Sequence, residues 1–256
     1  MVEALHQRRR QRVSDEPGFL LHRLAWRETS LIIEVLTRHH GRVALIAKGA
    51  RRPRSELRPV LLAFQPLRLA WTGKGELQTL TSAQWVGGIE APQAQALMCG
   101  FYLNELLLRL LPRDDAHPQL YDAYVQALVE LTELDTAEHD DCLRRFEWCL
   151  LRESGYAPDL QCDAQGEAIE AHSRYQWFPE SGFQRISLGV REPVDEIETR
   201  DDIEGHCLLA LGQGVLEHGV QRHQAKRLTR RILSHWLEGR ELYTRKIMTE
   251  LQIMTR

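Results

Sequence analysis

The residues best suited to chemistry are the basic side chains of a short loop, residues 48–55, which also contains Gly49 and Pro53. Six cations in and around it are candidates for phosphate contacts: Arg42, Lys48, Arg51, Arg52, Arg54 and Arg58. A flexible arginine-rich loop can follow a phosphate backbone, while neighbouring aromatic rings stack on bases. The chemistry expected here is therefore non-covalent binding of a polyanion.

Two further basic features extend this pattern. Lys74 lies in a Gly-Lys-Gly turn, which lacks the glycine spacing of a phosphate-cradling P-loop and is interpreted as a hairpin turn. Near the carboxyl terminus, four more candidate cations fall opposite an apolar helical stripe: Lys226, Arg227, Arg230 and Arg231. Like charges so closely spaced repel one another unless an anion is near. A solvated helix face is the alternative interpretation.

Aromatic residues that could stack on bases occur among the same strands. The candidates are Trp26, Phe64, Trp71 and Trp85. The alternation of apolar and polar residues predicts that most of them belong to the core instead.

No catalytic or metal-binding constellation is evident. The sequence contains neither H-E-x-x-H nor G-x-S-x-G, and its five cysteines form no C-x-x-C pair. His39 and His40 are adjacent and would point apart on a strand, and His206-Cys207 lacks a second pair at metal spacing. We therefore predict a protein that is not an enzyme and has no metal, cofactor or disulfide.

The distribution of charge supports a nucleic-acid partner. The 256 residues carry a net charge of −3, but residues 1–76 have 15 Lys and Arg against 7 Asp and Glu. Residues 77–219 have 9 against 26, and residues 220–256 have 9 against 3. Two basic segments around an acidic body favour binding of an anion. Because 29 of the 33 cations are arginine, a solvated arginine-rich surface is the alternative.

Targeting signals are not apparent in the sequence. No apolar run approaches the roughly 18 residues that a membrane span needs, and the basic amino terminus has no apolar stretch after it. We expect a cytoplasmic protein with no membrane partner.

The basic loop follows a run of short strands. Apolar segments at 19–26, 30–37, 42–48, 67–72 and 77–86 are separated by turn residues, and residues 1–16 are interpreted as a basic flexible arm. Five strands within about 70 residues suit a small closed barrel such as an OB-fold, although composition alone does not exclude an SH3-like barrel. The barrel domain is expected to cover residues 17–90.

The hydrophobic period changes to 3.6 after Pro92. Helices are predicted around 97–111, 121–131, 143–150 and 225–236, with residues 156–200 left as an irregular insert. The fold class is therefore α+β, with an N-terminal OB-fold barrel followed by an all-helical domain over residues 91–256.

Residues 18–52 (GFLLHRLAWRETSLIIEVLTRHHGRVALIAKGARR) are similar to the start of RecO, the bacterial recombination-mediator family. The resemblance continues through 73–77 (GKGEL), 102–106 (YLNEL), 143–147 (LRRFE) and 239–245 (GRELYTR). These matches are collinear and extend over most of the chain.

The resemblance implies a role in DNA repair and homologous recombination. It implies binding of single-stranded and double-stranded DNA, annealing of complementary strands, and cooperation with RecR to load RecA onto SSB-coated DNA. It also implies that the acidic SSB C-terminal tail docks on the helical domain, with Arg144 and Arg145 as partners for its carboxylates. Pairing of these arginines with Glu147, Asp140 or Asp141 is the alternative. A cytoplasmic, nucleoid-associated location follows from the same resemblance.

One departure from the family concerns zinc. Some members carry a four-cysteine module after the Gly155-Tyr156 segment, whereas this sequence keeps only Cys162 and has Gln165 at the next ligand position. One thiol cannot form a structural zinc site. We therefore expect a degenerate module packed by Tyr175, Trp177 and Phe178.

The main rival to a DNA-binding mediator is a protein-interaction adaptor that touches DNA only incidentally. A metal-dependent nuclease is disfavoured because the chain lacks a carboxylate–histidine cluster.

Overall fold

The computed structural model describes residues 11–135, 138–186, 202–214 and 219–254. Within it the chain forms two compact units. The first, here the barrel unit, comprises residues 1–139 and 244–256, and the second unit comprises residues 140–243. The sequence-based boundary near residue 90 falls inside the first unit, which extends to residue 139.

The barrel contains five strands: β1 (Gln11–Trp26), β2 (Ser30–Thr37), β3 (Gly41–Ala47), β4 (Pro66–Gly73) and β5 (Leu77–Trp85). They close in the order β1-β2-β3-β5-β4, with β3 and β5 parallel and the other pairs antiparallel. Alternate residues such as Leu67, Leu69 and Trp71 point inward and are almost fully buried. The prediction of an OB-like barrel is confirmed.

The start of β1 differs from the sequence-based prediction. Residues 11–16, expected to belong to a flexible arm, pair with β4, and Val13 lies in the barrel core. A register shift between Val13 and Glu16 interrupts the alternation that would have revealed a strand. The rest of the predicted arm, residues 1–10, lies outside the described residues.

In the described parts of the chain, six helices accompany the strands: α1 (Ala94–Leu110), α2 (Pro118–Glu133), α3 (His139–Glu153), α4 (Gly205–Gln213), α5 (Val220–Trp236) and α6 (Tyr243–Met254). The four predicted helices correspond to α1, α2, α3 and α5. Helix α1 is apolar on most sides because it is buried in the barrel unit, where Leu103, Leu106 and Leu107 are inaccessible to solvent.

The second unit is not all-helical, which corrects the prediction for that part of the chain. It contains a small antiparallel sheet of β6 (Arg174–Phe178), β7 (Gly182–Ile186) and β8 (Asp202–Glu204) in the order β7-β6-β8. Tyr175, Trp177 and Phe183 supply its buried face. The strands are only three to five residues long, so the period of two is too brief to stand out among the turn residues of this segment.

Helix α1 is joined to β1 and α2 by a buried amide. The Asn104 side chain donates from Nδ2 to the Leu21 carbonyl at 3.1 Å, and the Tyr124 hydroxyl donates to Asn104 Oδ1 at 2.6 Å. Burial raises the pKa of Tyr124, which therefore stays a neutral donor. The ring of Tyr124 meets Phe19 of β1 edge-on at 5.3 Å between centroids.

The turn between β2 and β3 packs closely on the segment after α1. Gly41 has φ of +67°, and a Cβ atom on it would lie 1.8 Å from the Asp115 carbonyl oxygen. In the same region the Asp114 N–H donates to the Arg42 carbonyl at 3.0 Å. A side chain is therefore excluded at Gly41 by both backbone conformation and space.

Substituting Gly41→Ala should destabilise the barrel unit more than Gly75→Ala. Both glycines have positive φ, but a Cβ on Gly75 meets nothing within 4 Å. Gly75→Ala should cost about 1–2 kcal/mol through left-handed strain alone, and Gly41→Ala at least about twice that. Urea unfolding of both variants measures the difference, and equal losses would show that the approach of Asp115 imposes no constraint.

Candidate nucleic-acid interface

The basic stretch after β3 is built from consecutive turns. The Arg52 N–H donates to the Gly49 carbonyl at 3.0 Å, and the Ser55 N–H donates to the Arg52 carbonyl at 3.1 Å. The Arg51 N–H donates to the Thr29 carbonyl at 2.9 Å, which attaches the segment to the β1–β2 turn. The segment thus presents its cations from a backbone held in hydrogen-bonded turns.

Five of the six predicted cations of this segment are exposed: Lys48, Arg51, Arg52, Arg54 and Arg58. The segment leaves β3 at the end of the barrel where β1 finishes with Trp26, which is 40% exposed. The Arg27 guanidinium lies 6.0 Å from the Trp26 ring centroid, and Arg51 Nη1 donates to the Arg27 carbonyl at 3.2 Å. We call these five cations together with Trp26 and Arg27 the basic end of the barrel.

The aromatic candidates divide between core and surface. Phe64 and Trp71 are buried, whereas Trp26 and Trp85 are exposed, the latter by 61%. Only an exposed ring can stack on a base. The adjacency of Trp26 and Arg27 to the basic stretch was missed from the sequence, because it depends on the pairing of β2 with β1 and β3.

Arg42 faces inward, unlike the other cations of the basic stretch. Its Nη1 donates to the Leu108 carbonyl at 2.8 Å, and its side chain is 16% exposed. Burial lowers the pKa of Arg42, an effect that the nearby Glu34 carboxylate opposes. Arg42 thus joins β3 to the end of α1 and is not placed to meet a phosphate group, contrary to the sequence-based prediction.

Lys74 is exposed but lies at the other end of the barrel. In the parallel β3–β5 pair, Ala44 is opposite Leu77, so the hairpin before β5 is beside the beginning of β3. The basic stretch leaves from the opposite end of β3, after Ala47. The structure therefore does not bring Lys74 together with the basic end.

The cations of α5 are partly engaged inside the second unit. Lys226 Nζ lies 2.5 Å from Asp140 Oδ2; burial alone would raise the pKa of Asp140, but this ammonium holds it below its ordinary value. The Arg231 guanidinium lies 5.9 Å from the Trp177 ring centroid. Arg230 is exposed and Arg227 is half-buried, so the four cations do not form one uniform solvated face.

The two arginines suggested for SSB-tail binding have different environments. Arg144 is 3% exposed, with its Nη2 2.7 Å from Glu147 Oε1 and its Nη1 donating to Thr229 Oγ1 at 3.2 Å. Glu147 is fully buried. The alternative of intrahelical pairing therefore describes Arg144, which is not accessible to a peptide carboxylate, whereas Arg145 is exposed.

The segment around Cys162 keeps a tight turn that is organised by a carboxylate. Asp163 Oδ1 accepts the N–H groups of Gln165 and Glu167 at 2.9 and 3.0 Å, and the Ala164 N–H donates to the Phe183 carbonyl at 2.7 Å. Tyr175 and Trp177 are buried nearby, while Phe178 is half-buried. Within the described ranges, no three His, Cys, Asp or Glu side chains are grouped so that they could hold a metal ion.

The Arg144–Glu147 pair should be a strong determinant of stability. Arg144→Met leaves the Glu147 carboxylate buried without its cation, at a cost of about 3–5 kcal/mol. Arg145→Met, the matched change at the exposed neighbour, should cost less than about 0.5 kcal/mol. Urea unfolding compares them, and the double variant R144M/E147L should recover most of the loss; equal stability of the two single variants would contradict the structural role.

The fold and the surface together define a class of protein. A closed five-stranded barrel in this strand order, with cations and an exposed tryptophan at one end, is an OB-type nucleic-acid-binding architecture. Among the described helices, none is long and apolar enough to cross a bilayer.

Comparison with known proteins identifies the family. Residues 12–89 match the family described as "Recombination protein O N terminal", and residues 92–245 match "Recombination protein O C terminal". A "DNA repair protein RecO" of Aromatoleum aromaticum is 44% identical over 95% of this chain and 98% of its own length. One from Thiobacillus denitrificans is 46% identical over 94% of this chain and 93% of its own length. The chain belongs to the RecO family of DNA repair and recombination proteins.

Proposed function

We propose that this protein binds DNA through the basic end of its barrel and anneals complementary strands during recombinational repair. The observation that carries the proposal is a run of five exposed cations in hydrogen-bonded turns, which the contacts of Arg51 with Arg27 and of Arg27 with Trp26 connect to an exposed tryptophan. Cations that neutralise phosphates reduce the repulsion between two strands, and the exposed ring offers a stacking surface for an unpaired base. Neither contribution needs a catalytic group.

The proposal extends to the other proteins of the pathway. SSB-coated DNA is the substrate, RecR is a partner, and loading of RecA is the outcome. Arg145 and Arg230 are the exposed cations of the second unit that remain candidates for an acidic SSB tail or for phosphate, respectively. This extension is supported by membership of the family and by the exposure of these side chains.

Removing three cations of the basic end tests the DNA-binding part. The variant R51A/R52A/R54A should make the plot of the log association constant for single-stranded DNA against log salt concentration less steep by about 2, since each phosphate contact contributes about 0.7. Fluorescence anisotropy over a salt series measures the slope, and the rate of annealing of two complementary oligonucleotides should fall in parallel.

The matched control for that variant is R152A/R185A/R240A. It makes the same change in net charge at three exposed arginines, which pair with Glu153, Glu170 and Glu238. This control should keep the parental slope. An unchanged slope in R51A/R52A/R54A would show that these arginines do not contact phosphates, and it would favour the interpretation as a protein-interaction adaptor.

Trp26 should contribute by stacking. Trp26→Leu is expected to weaken binding of single-stranded DNA roughly tenfold, because stacking of one base contributes about 1–3 kcal/mol. Trp26→Phe keeps an aromatic face and should restore most of the affinity, with little effect on the salt slope in either variant. If leucine and phenylalanine bind equally well, the ring does not stack on a base.

A further inference from the structure

A cavity of about 270 Å³ opens on the second unit, between the segment after α3, the β6–β7 hairpin and the end of α5. The residues that line it include Tyr156, Trp236, Trp177, Phe183, Asp159 and Asp163. A cavity of this volume is at or below the small end of drug-sized ligand pockets and suits a single amino-acid side chain.

One wall of the cavity is a fixed pair of aromatic rings. Tyr156 stacks on Trp236 with 4.4 Å between ring centroids and an angle of 22° between their planes. The Trp236 indole donates from Nε1 to the Tyr156 carbonyl at 3.2 Å, which holds the indole in place. His235 meets the same indole edge-on at 5.1 Å between ring centroids, and Trp236 is nevertheless 38% exposed, so part of its ring is accessible to a ligand.

The carboxylates at the cavity are also held in place. Asp159 Oδ1 accepts the Gln161 N–H at 2.8 Å, in the same way that Asp163 Oδ1 accepts two backbone N–H groups. Among the described residues that line the cavity there is no lysine or arginine. The cavity therefore combines stacking faces with negative charge.

This combination discriminates between kinds of ligand. A nucleotide could stack on the rings, but two carboxylates repel its phosphate. An acidic peptide meets the same repulsion. A guanidinium group gains from both features, because it stacks flat on aromatic rings and engages carboxylates through its planar fork of donors.

The second unit already contains such a contact. The Arg231 guanidinium lies over Trp177, one of the cavity rings, at 5.9 Å from its centroid. Because Trp177 and Phe183 are only 3% and 1% exposed, the stacked Tyr156–Trp236 pair is the aromatic surface that an incoming cation can reach.

We propose that this cavity binds an arginine side chain of a partner polypeptide. The guanidinium would stack on the Tyr156–Trp236 pair while Asp159 and Asp163 accept its hydrogen bonds. This site is separate in chemistry from the basic end of the barrel, and the proposal does not depend on DNA binding.

The test titrates the full-length protein with the peptide acetyl-Gly-Arg-Gly-amide while the Trp236 indole resonance is followed by NMR. The expected result is a saturable shift with a dissociation constant in the millimolar range, on the order of what one side chain can supply. The matching citrulline peptide has nearly the same shape without the charge and should bind at least about tenfold more weakly. Because both peptides are compared on the unaltered protein, this part needs no variant.

A charge-removing variant localises the effect. D159N/D163N keeps side-chain oxygens that can accept the backbone N–H groups of both turns. It should weaken binding of the arginine peptide at least about tenfold. The control E170Q/E238Q makes the same change in net charge at two exposed carboxylates that pair with Arg185 and Arg240. It should bind the arginine peptide as tightly as the unaltered protein does.

Three results would overturn the proposal. The first is equal binding of the citrulline and arginine peptides, which would make the cavity an apolar site. The second is a saturable shift of the Trp236 indole caused by oligothymidylate or by an acidic peptide. The third is no shift with the arginine peptide at up to about 20 mM, a concentration far above any useful affinity.

Discussion

The barrel unit depends on one buried amide. Asn104 lies on the buried side of a mostly apolar helix, and both ends of its side chain are used, one by the Leu21 carbonyl of β1 and the other by the Tyr124 hydroxyl of α2. A rotation or slide of α1 would leave these polar groups buried without partners, which is costly. The amide therefore specifies one position of α1 where apolar packing alone would permit several.

Other contacts of the barrel unit follow from that position of α1. The next residue, Glu105, accepts the Thr244 N–H and hydroxyl at 2.9 and 2.7 Å and so holds the beginning of α6. The Leu108 carbonyl, one turn further on, accepts the Arg42 guanidinium. With Arg42 engaged at the end of α1, the cations that remain at the surface of the basic stretch come only after β3. The packing of α1 thus withdraws Arg42 from the charged surface.

Prediction from the sequence was most accurate where the apolar pattern repeats over many residues. Four of the five barrel strands and the four predicted helices were located within a few residues, since each repeats its apolar pattern over two or more turns or pleats. It failed at β1 before Glu16, where a register shift hides the alternation, and at β6 and β7, which are only five residues long. The approach of Trp26 and Arg27 to the basic stretch arises from strand pairing between distant residues, which no local pattern encodes.

The sequence-based list of binding arginines includes side chains that the fold engages internally, for a reason that local sequence partly reveals. Arg144 has Glu147 three residues later on the same helix, a spacing at which opposite charges meet, and the pair is buried. Arg42 occupies a strand, where every second side chain turns toward neighbouring elements. Arg51, Arg52 and Arg54 instead follow Gly49 in a series of turns, and turns run over the surface because their backbone polar groups need water. Cations in turns are therefore better candidates for phosphate binding than cations in helices or strands that have an acidic residue within reach.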